Sequence, residues 1–133
     1  MRSTCRALAA AVVLLAAGCG GGPQTHPLET GGIDAVDMLQ TLQARTVRVL
    51  GTVTGTAAAE AALPELEAIS ADYGDLLVDA KGLSPAGRAE LAEQAARILP
   101  GLKDNAVRLG SMRGGTILTP VLGEIIDKVA LLQ

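Results

Sequence analysis

Apolar side chains recur every three to five residues in four stretches of this chain, and that spacing puts them on one face of an α-helix. Glycines or prolines separate the stretches, which span approximately residues 33–53, 57–81, 83–112 and 119–132. The one competing strand candidate, residues 45–56, alternates only in part and has no second strand to pair with. We therefore predict an all-α fold, a small antiparallel three- to four-helix bundle.

Several residues predict where the helices begin and end. Ser84 precedes a proline and is a favourable N-cap for the third helix. Thr56 and Thr119 offer the same kind of cap to the second and fourth helices, and Gly82 is a plausible stop for the second. Arg113 to Thr116 is predicted as a loop.

Two internal prolines leave the helix geometry open. Pro64 predicts either a kink in the second helix or a regular start at Leu63, and Pro100 followed by Gly101 predicts that the third helix is kinked or split. Acidic residues precede basic residues by four positions in three places, an order that favours helix through pairing on its surface. These pairs are Glu93 with Arg97, Asp104 with Arg108, and Glu124 with Lys128.

The core has almost no aromatic material, since Tyr73 stands alone and the chain has no Phe or Trp. Leu, Ile, Val and Ala must fill the interior, and Ile125 lies on the predicted buried face of the fourth helix. Most small-molecule pockets use aromatic faces, so this composition argues against an enzyme and against a sugar-binding surface.

The first 18 residues have the three parts of an export signal. Arg2 and Arg6 give a positive start, Ala7 to Ala17 is an unbroken apolar run, and Gly18 ends a group of small residues. Eleven helical residues rise about 16 Å, which is far less than the roughly 30 Å of bilayer hydrocarbon. The segment is therefore predicted to direct export and to be removed.

The stretch "LAAGC" at Leu15–Cys19 closes this signal and resembles the lipobox of bacterial lipoproteins. The resemblance implies cleavage between Gly18 and Cys19 and a diacylglyceryl group, with chains such as palmitate, on the cysteine thiol. The chain departs from the family at Ala16, where leucine is usual. An ordinary signal peptidase could also cut after Gly18, which would give plain secretion.

The resemblance divides the chain into a lipoprotein signal peptide (1–18), a lipid-anchored Gly/Pro-rich tether (19–32) and a helical bundle domain (33–133). Gly20 follows the cysteine, and the absence of Asp there favours the outer membrane in a bacterium with two membranes. The domain would face the periplasm or the exterior. Cys5 would leave with the signal, so the mature chain would have neither a free thiol nor a disulfide.

The net charge of the chain limits the kinds of partner that it can bind. Residues 1–18 contain only Arg2 and Arg6 as charged side chains, so their removal changes the net charge from −3 to −5. An acidic protein is a poor ligand for nucleic acid. The expected partners are the membrane, through lipidated Cys19, and an envelope protein.

No residue is predicted as catalytic, cofactor-binding or metal-binding. His26 is the one histidine and lies in the tether, where nothing could position it. Asp72, Asp75 and Asp79 share a helix face but lack the loop of oxygen ligands typical of a calcium site, so they are interpreted as solvated. Ser70 has no nucleophile motif around it, and the glycine-rich stretch 110–116 lacks a P-loop ending.

From the second helix onward, the stretches 58–67 and 119–129 resemble small alanine-rich exported bacterial proteins of unknown function, a resemblance that implies no activity. We expect a membrane-anchored envelope lipoprotein that acts as an interaction or structural module. The alternative is a carrier of an apolar small molecule or lipid in a cavity between helices. An exposed aliphatic strip along 121–132 would favour a protein partner, and a cavity of several hundred Å³ would favour the carrier.

Overall fold

The computed structural model describes residues 27–133 of the chain, with side chains from Asp34 onward. It contains four α-helices and one turn of 3-10 helix. In order, these are α1 (Pro27–Gly51), α2 (Thr56–Ala80), α3 (Pro85–Gly110), the 3-10 turn (Gly115–Ile117) and α4 (Thr119–Ala130). No strand occurs among the described residues, and Arg45 to Gly51 belong to α1. The all-α prediction is confirmed, and the strand alternative is wrong.

The helix bounds agree closely with the sequence pattern, except at the start of α1. That helix begins at Pro27, six residues before the predicted start at Ile33, so the last part of the expected tether is helical. Proline suits the first position of a helix because its missing N–H would have no partner there. The signal segment and the first part of the tether lie outside the described residues.

The helices form two antiparallel hairpins, α1–α2 and α3–α4, which pack against each other. Helix α1 contacts α2 and α3, and helix α4 also contacts α2 and α3. The pairs α1/α4 and α2/α3 therefore occupy diagonal corners, and α1 runs beside α3 in the same direction. One end of the bundle, here called the basal end, carries the start of α1, the α2–α3 turn and the end of α4. The opposite end is called the distal end.

The core is a single cluster of aliphatic side chains around Tyr73, which is fully buried. All four helices contribute to it, with leucine the commonest residue among the fully buried ones. The predicted inner face of α4 is confirmed, since Val121, Leu122, Ile125 and Val129 are all buried. Dispersion and hydrophobic burial in this cluster hold the fold, since no cysteine lies in the described part of the chain.

Only one of the three predicted hydroxyl caps forms. Ser84 caps α3, because its Oγ accepts a hydrogen bond from the Gly87 N–H at 3.0 Å. Thr56 is instead the first residue of α2, after an extended Gly55, and caps nothing with its side chain. At α4 the cap position is Leu118, because the preceding 3-10 turn already directs the chain into the helix, so the Thr119 prediction is wrong as well. Gly82 lies just past the end of α2, as predicted.

Both internal prolines lie within continuous helices. Pro64 is inside α2 and Pro100 is inside α3, so α2 does not start at Leu63 and α3 is not split. Each proline leaves the carbonyl four residues earlier without its intrahelical partner. Both prolines and the residues four positions before them, Glu60 and Ala96, are exposed, so water can serve these carbonyls.

The loop between α3 and α4 requires glycine for a steric reason. Gly114 has φ of +79°, and a side chain there would collide with the backbone of Thr56 at the start of α2. A Cβ at Gly115 would meet the Leu109 carbonyl. The two glycines therefore let the loop close tightly over the distal end, in the segment that the sequence marks as a loop.

Candidate functional site

The residues with a predicted modification lie outside the described part of the chain. Cys19, which would take the lipid, and Gly18, which would precede the cleavage, both come before Pro27. His26 lies there too. The first described residue follows Cys19 by eight positions, at the basal end of the bundle. Along residues 27–133, no helix is both long enough and apolar enough to cross a bilayer.

The three aspartates on α2 do not form a metal centre. Asp72 accepts a hydrogen bond from Arg45 Nη1 at 2.7 Å, while Arg45 Nη2 bonds Glu65 Oε1 at 3.0 Å. This hydrogen bond with Asp72, followed by the one with Glu65, raises the pKa of the Arg45 guanidinium. Asp75 and Asp79 are exposed, and the described residues contain no group of three metal-ligand side chains close enough to share an ion. Asp72 thus links α1 to α2.

Ser70 and Lys128 form the one serine–lysine contact of the described chain. The Lys128 ammonium donates to Ser70 Oγ at 2.9 Å and to the Ser70 carbonyl at 2.7 Å, and Ser70 Oγ lies 3.4 Å from Glu124 Oε1. Ser70 is only 3% exposed, so its hydroxyl is buried against Lys128 and Glu124. The contact joins α2 to α4 through charge-assisted hydrogen bonds.

Two of the three predicted acid–base pairs do not form, because the basic side chain reaches another helix. Lys128 turns to Ser70 rather than to Glu124, and Arg108 donates to the Leu50 carbonyl at 3.0 Å rather than to Asp104. That carbonyl lies in the last turn of α1, where helices leave acceptors unsatisfied. Glu93 and Arg97 do pair, at 3.2 Å on the surface.

Tyr73 is the one buried polar side chain that lacks a partner in the described residues. Its hydroxyl is enclosed in the core without a hydrogen bond. Burial raises the pKa of the Tyr73 hydroxyl, and the neighbouring Thr46 hydroxyl offsets part of the rise. Thr46 lies outside hydrogen-bonding geometry with it, however, and donates its own proton to the Leu42 carbonyl at 2.7 Å. Tyr73 is thus a packing residue with an isolated polar atom.

A groove at the basal end has a volume of about 710 Å³ and is larger than three other concavities between the described residues. The others lie between α1 and α2 or beside the α2–α3 turn and hold about 310 to 410 Å³. The basal groove is open to solvent and is bounded by the end of α2, the start of α3 and the residues after α4. Its apolar lining includes Leu77, Ala80, Pro85, Ala89, Leu91, Ala92, Leu131 and Leu132.

Two features distinguish the basal groove from an ordinary crease between helices. Leu131 lines it with 73% of its surface exposed, whereas Leu132 beside it is buried. Lys81 and Arg88 also line it, and neither forms an ion pair with any described residue. An exposed leucine therefore lies beside two unpaired cations in a protein whose net charge is negative.

The exposed aliphatic strip considered for residues 121–132 is absent. Its helical part faces the core, and Leu131 alone among its large apolar residues is strongly exposed. The sequence pattern missed the basal groove, because its walls come from three segments whose proximity depends on how the hairpins pack. A usable signal was an apolar residue, Leu131, just beyond the helical stripe.

No family model, curated protein or solved structure matches this chain.

Proposed function

We propose that this protein is a bacterial envelope lipoprotein, anchored by lipid on Cys19, whose helical bundle acts as an interaction module at the membrane surface. The observation that carries the proposal is the sequence "LAAGC" at the end of an eleven-residue apolar run. Two or three acyl chains on one residue are enough for stable anchoring. The anchor raises the encounter rate with partners in the same thin layer by confining the bundle there.

The position of α1 supports a defined orientation of the anchored bundle. Pro27 follows Cys19 by eight positions, and a fully extended chain of that length reaches about 27 Å. Since α1 starts at the basal end, a lipid on Cys19 would hold that end nearest the membrane. The distal end, with the α3–α4 loop, would then face an envelope protein partner.

Replacement of the acylated cysteine tests the proposal. The Cys19→Ser variant should move from the detergent phase to the aqueous phase, or accumulate unprocessed, whereas Cys5→Ser should behave as the wild type. Mass spectrometry should find Cys19 at the mature N-terminus, with the added mass of acyl chains. An unmodified N-terminal Cys19 in the soluble fraction would establish plain secretion and contradict the anchor.

A sorting experiment follows from Gly20. In a two-membrane host, the wild type should fractionate with the outer membrane, and Gly20→Asp should shift it to the inner membrane. Wild-type protein in the inner-membrane fraction would refute the outer-membrane proposal and leave the anchor intact.

A second function, the carrying of an apolar small molecule, is favoured by the basal groove. Its volume of about 710 Å³ lies within the range of roughly 300 to 1,000 Å³ that is typical of small-molecule sites. Ser70, the serine that contacts a lysine, is buried and does not line the groove. We therefore propose binding rather than catalysis for this surface.

A further inference from the structure

We propose that the basal groove binds a single-chain anionic amphiphile, a long-chain carboxylate, with its tail along the leucine walls and its head group between Lys81 and Arg88. The inference deepens the second proposed function, since it names the class of ligand and the residues that select it. It does not depend on lipidation of Cys19.

The apolar part of the argument concerns Leu131. This residue is 73% exposed at a groove whose other walls include the half-buried Leu77 and the exposed Ala89. An acyl chain laid along these residues would remove apolar surface from water on both sides, and each fully buried methylene strengthens binding by roughly fourfold. The groove is open to solvent rather than enclosed.

The polar part of the argument concerns charge. Lys81 and Arg88 lie at the groove without ion-pair partners among the described residues, although acidic side chains outnumber basic ones, 14 to 11, in the chain as a whole. The remaining polar lining residue, Gln133, has an uncharged side chain. Two cations beside an apolar groove complement a carboxylate head, which accepts charge-assisted hydrogen bonds from both.

The same charges argue against a second copy of the chain as the occupant. In a two-fold contact the same patch meets itself, so Lys81 and Arg88 of both copies would be brought together. Like charges at close range oppose such a contact. A carboxylate ligand would instead offset the repulsion between Lys81 and Arg88, whereas a second copy would add two more cations.

Titration calorimetry with dodecanoate below its micelle concentration tests the inference, with the full chain carrying Cys19→Ser as the parent. Binding should be saturable, with one ligand per chain, and dodecyltrimethylammonium should bind at least about tenfold more weakly. Leu131→Asp should weaken dodecanoate binding by about tenfold or more. The matched control is Val107→Asp, which changes an equally exposed residue that does not line the groove. Any binding by the first 26 residues is common to all variants.

Charge reversal gives a second, independent readout. Lys81→Glu with Arg88→Glu should invert the preference, so that dodecyltrimethylammonium binds more tightly than dodecanoate. The control pair Lys103→Glu with Arg113→Glu makes the same change in net charge at exposed residues away from the groove and should keep the original preference. Circular dichroism of each variant reports whether the bundle is intact.

Several outcomes would overturn the inference. These are non-saturable uptake, equal affinity for the two head groups, or equal loss of binding in Val107→Asp and Leu131→Asp. Dimerisation that disappears with Leu131→Asp, without dodecanoate binding, would assign the groove to self-association. Adsorption to phosphatidylglycerol vesicles without dodecanoate binding would assign it to the bilayer surface. A negative result in these binding tests would not bear on lipidation of Cys19. Absence of that lipidation would likewise leave the binding tests interpretable.

Discussion

Tyr73→Phe should stabilise this protein, although it removes a polar group from the core. The Tyr73 side chain is fully buried, and its hydroxyl has no hydrogen-bond partner in the described part of the chain. An unsatisfied buried polar group costs about 1–3 kcal/mol of desolvation. The ring itself stays in place in Tyr73→Phe, so the packing contacts of the core are kept.

We expect the free energy of unfolding to rise by about 1 kcal/mol at neutral pH, with an increase of about 4 °C in Tm. The gain should grow at high pH. Burial raises the pKa of Tyr73 in the folded protein, while the unfolded chain ionises at about pH 10. Between about pH 10 and the raised pKa of the folded protein, unfolding of the wild type therefore releases a proton. Over that range the free energy of unfolding of the wild type falls by about 1.4 kcal/mol per pH unit, and that of Tyr73→Phe lacks this decrease.

Urea unfolding of both proteins, below and above about pH 10, measures these differences. Ultraviolet absorbance of the phenolate provides a direct check, since Tyr73 is the one tyrosine and the chain has no tryptophan. The absorbance should rise at higher pH in folded protein than in urea-unfolded protein. A variant destabilised by 1 kcal/mol or more would show that the hydroxyl is bonded after all, and coincident titration curves would refute its burial.

Two further predictions concern the loop and the core. Gly114→Ala should lower the free energy of unfolding by about 2 kcal/mol or more, because Gly114 has a positive φ and a side chain there would clash with Thr56. Gly123→Ala, in open space within α4, should instead raise the free energy of unfolding by up to about 1 kcal/mol. Thermal unfolding of the two variants measures both effects, and equal effects would contradict the loop geometry. Ile125→Asp should lower the free energy of unfolding by several kcal/mol, because it places a carboxylate in the core. The control Val107→Asp changes a residue that is 75% exposed and should alter Tm little. An unchanged Tm for Ile125→Asp would show that this face of α4 is exposed to solvent.

Local chemistry explains which details of the helices could be predicted. The Ser84 cap is correct because a hydroxyl followed by proline satisfies the helix start by itself. The Thr119 cap is wrong because the preceding 3-10 turn, closed by the Leu118 N–H on the Gly115 carbonyl, already leads into α4. The pairs of Asp104 and Glu124 fail for a similar reason, since their basic partners bond to backbone and hydroxyl oxygens on other helices instead.

The candidate binding surface was less accessible to sequence reasoning than the fold. Lipidation at Cys19 is predicted entirely from local sequence, because the modifying enzyme would recognise a short extended motif. The basal groove has no such motif. Lys81, Arg88 and Leu131 come from three segments of the chain. They line one groove only because these segments pack together in the folded protein.

Local sequence was enough to predict that the described part of the chain is helical and which side of each helix is apolar. It also predicted the helix bounds to within a few residues, except at the start of α1. These properties follow from spacing, capping and backbone preferences that act over a few residues. The folded arrangement alone shows that α1 lies beside α3 and α2 beside α4, and hence that an aliphatic groove with two cations forms at the basal end. The physical reason is that hydrophobic burial is non-directional, so an apolar stripe specifies that a helix is covered without specifying which helix covers it.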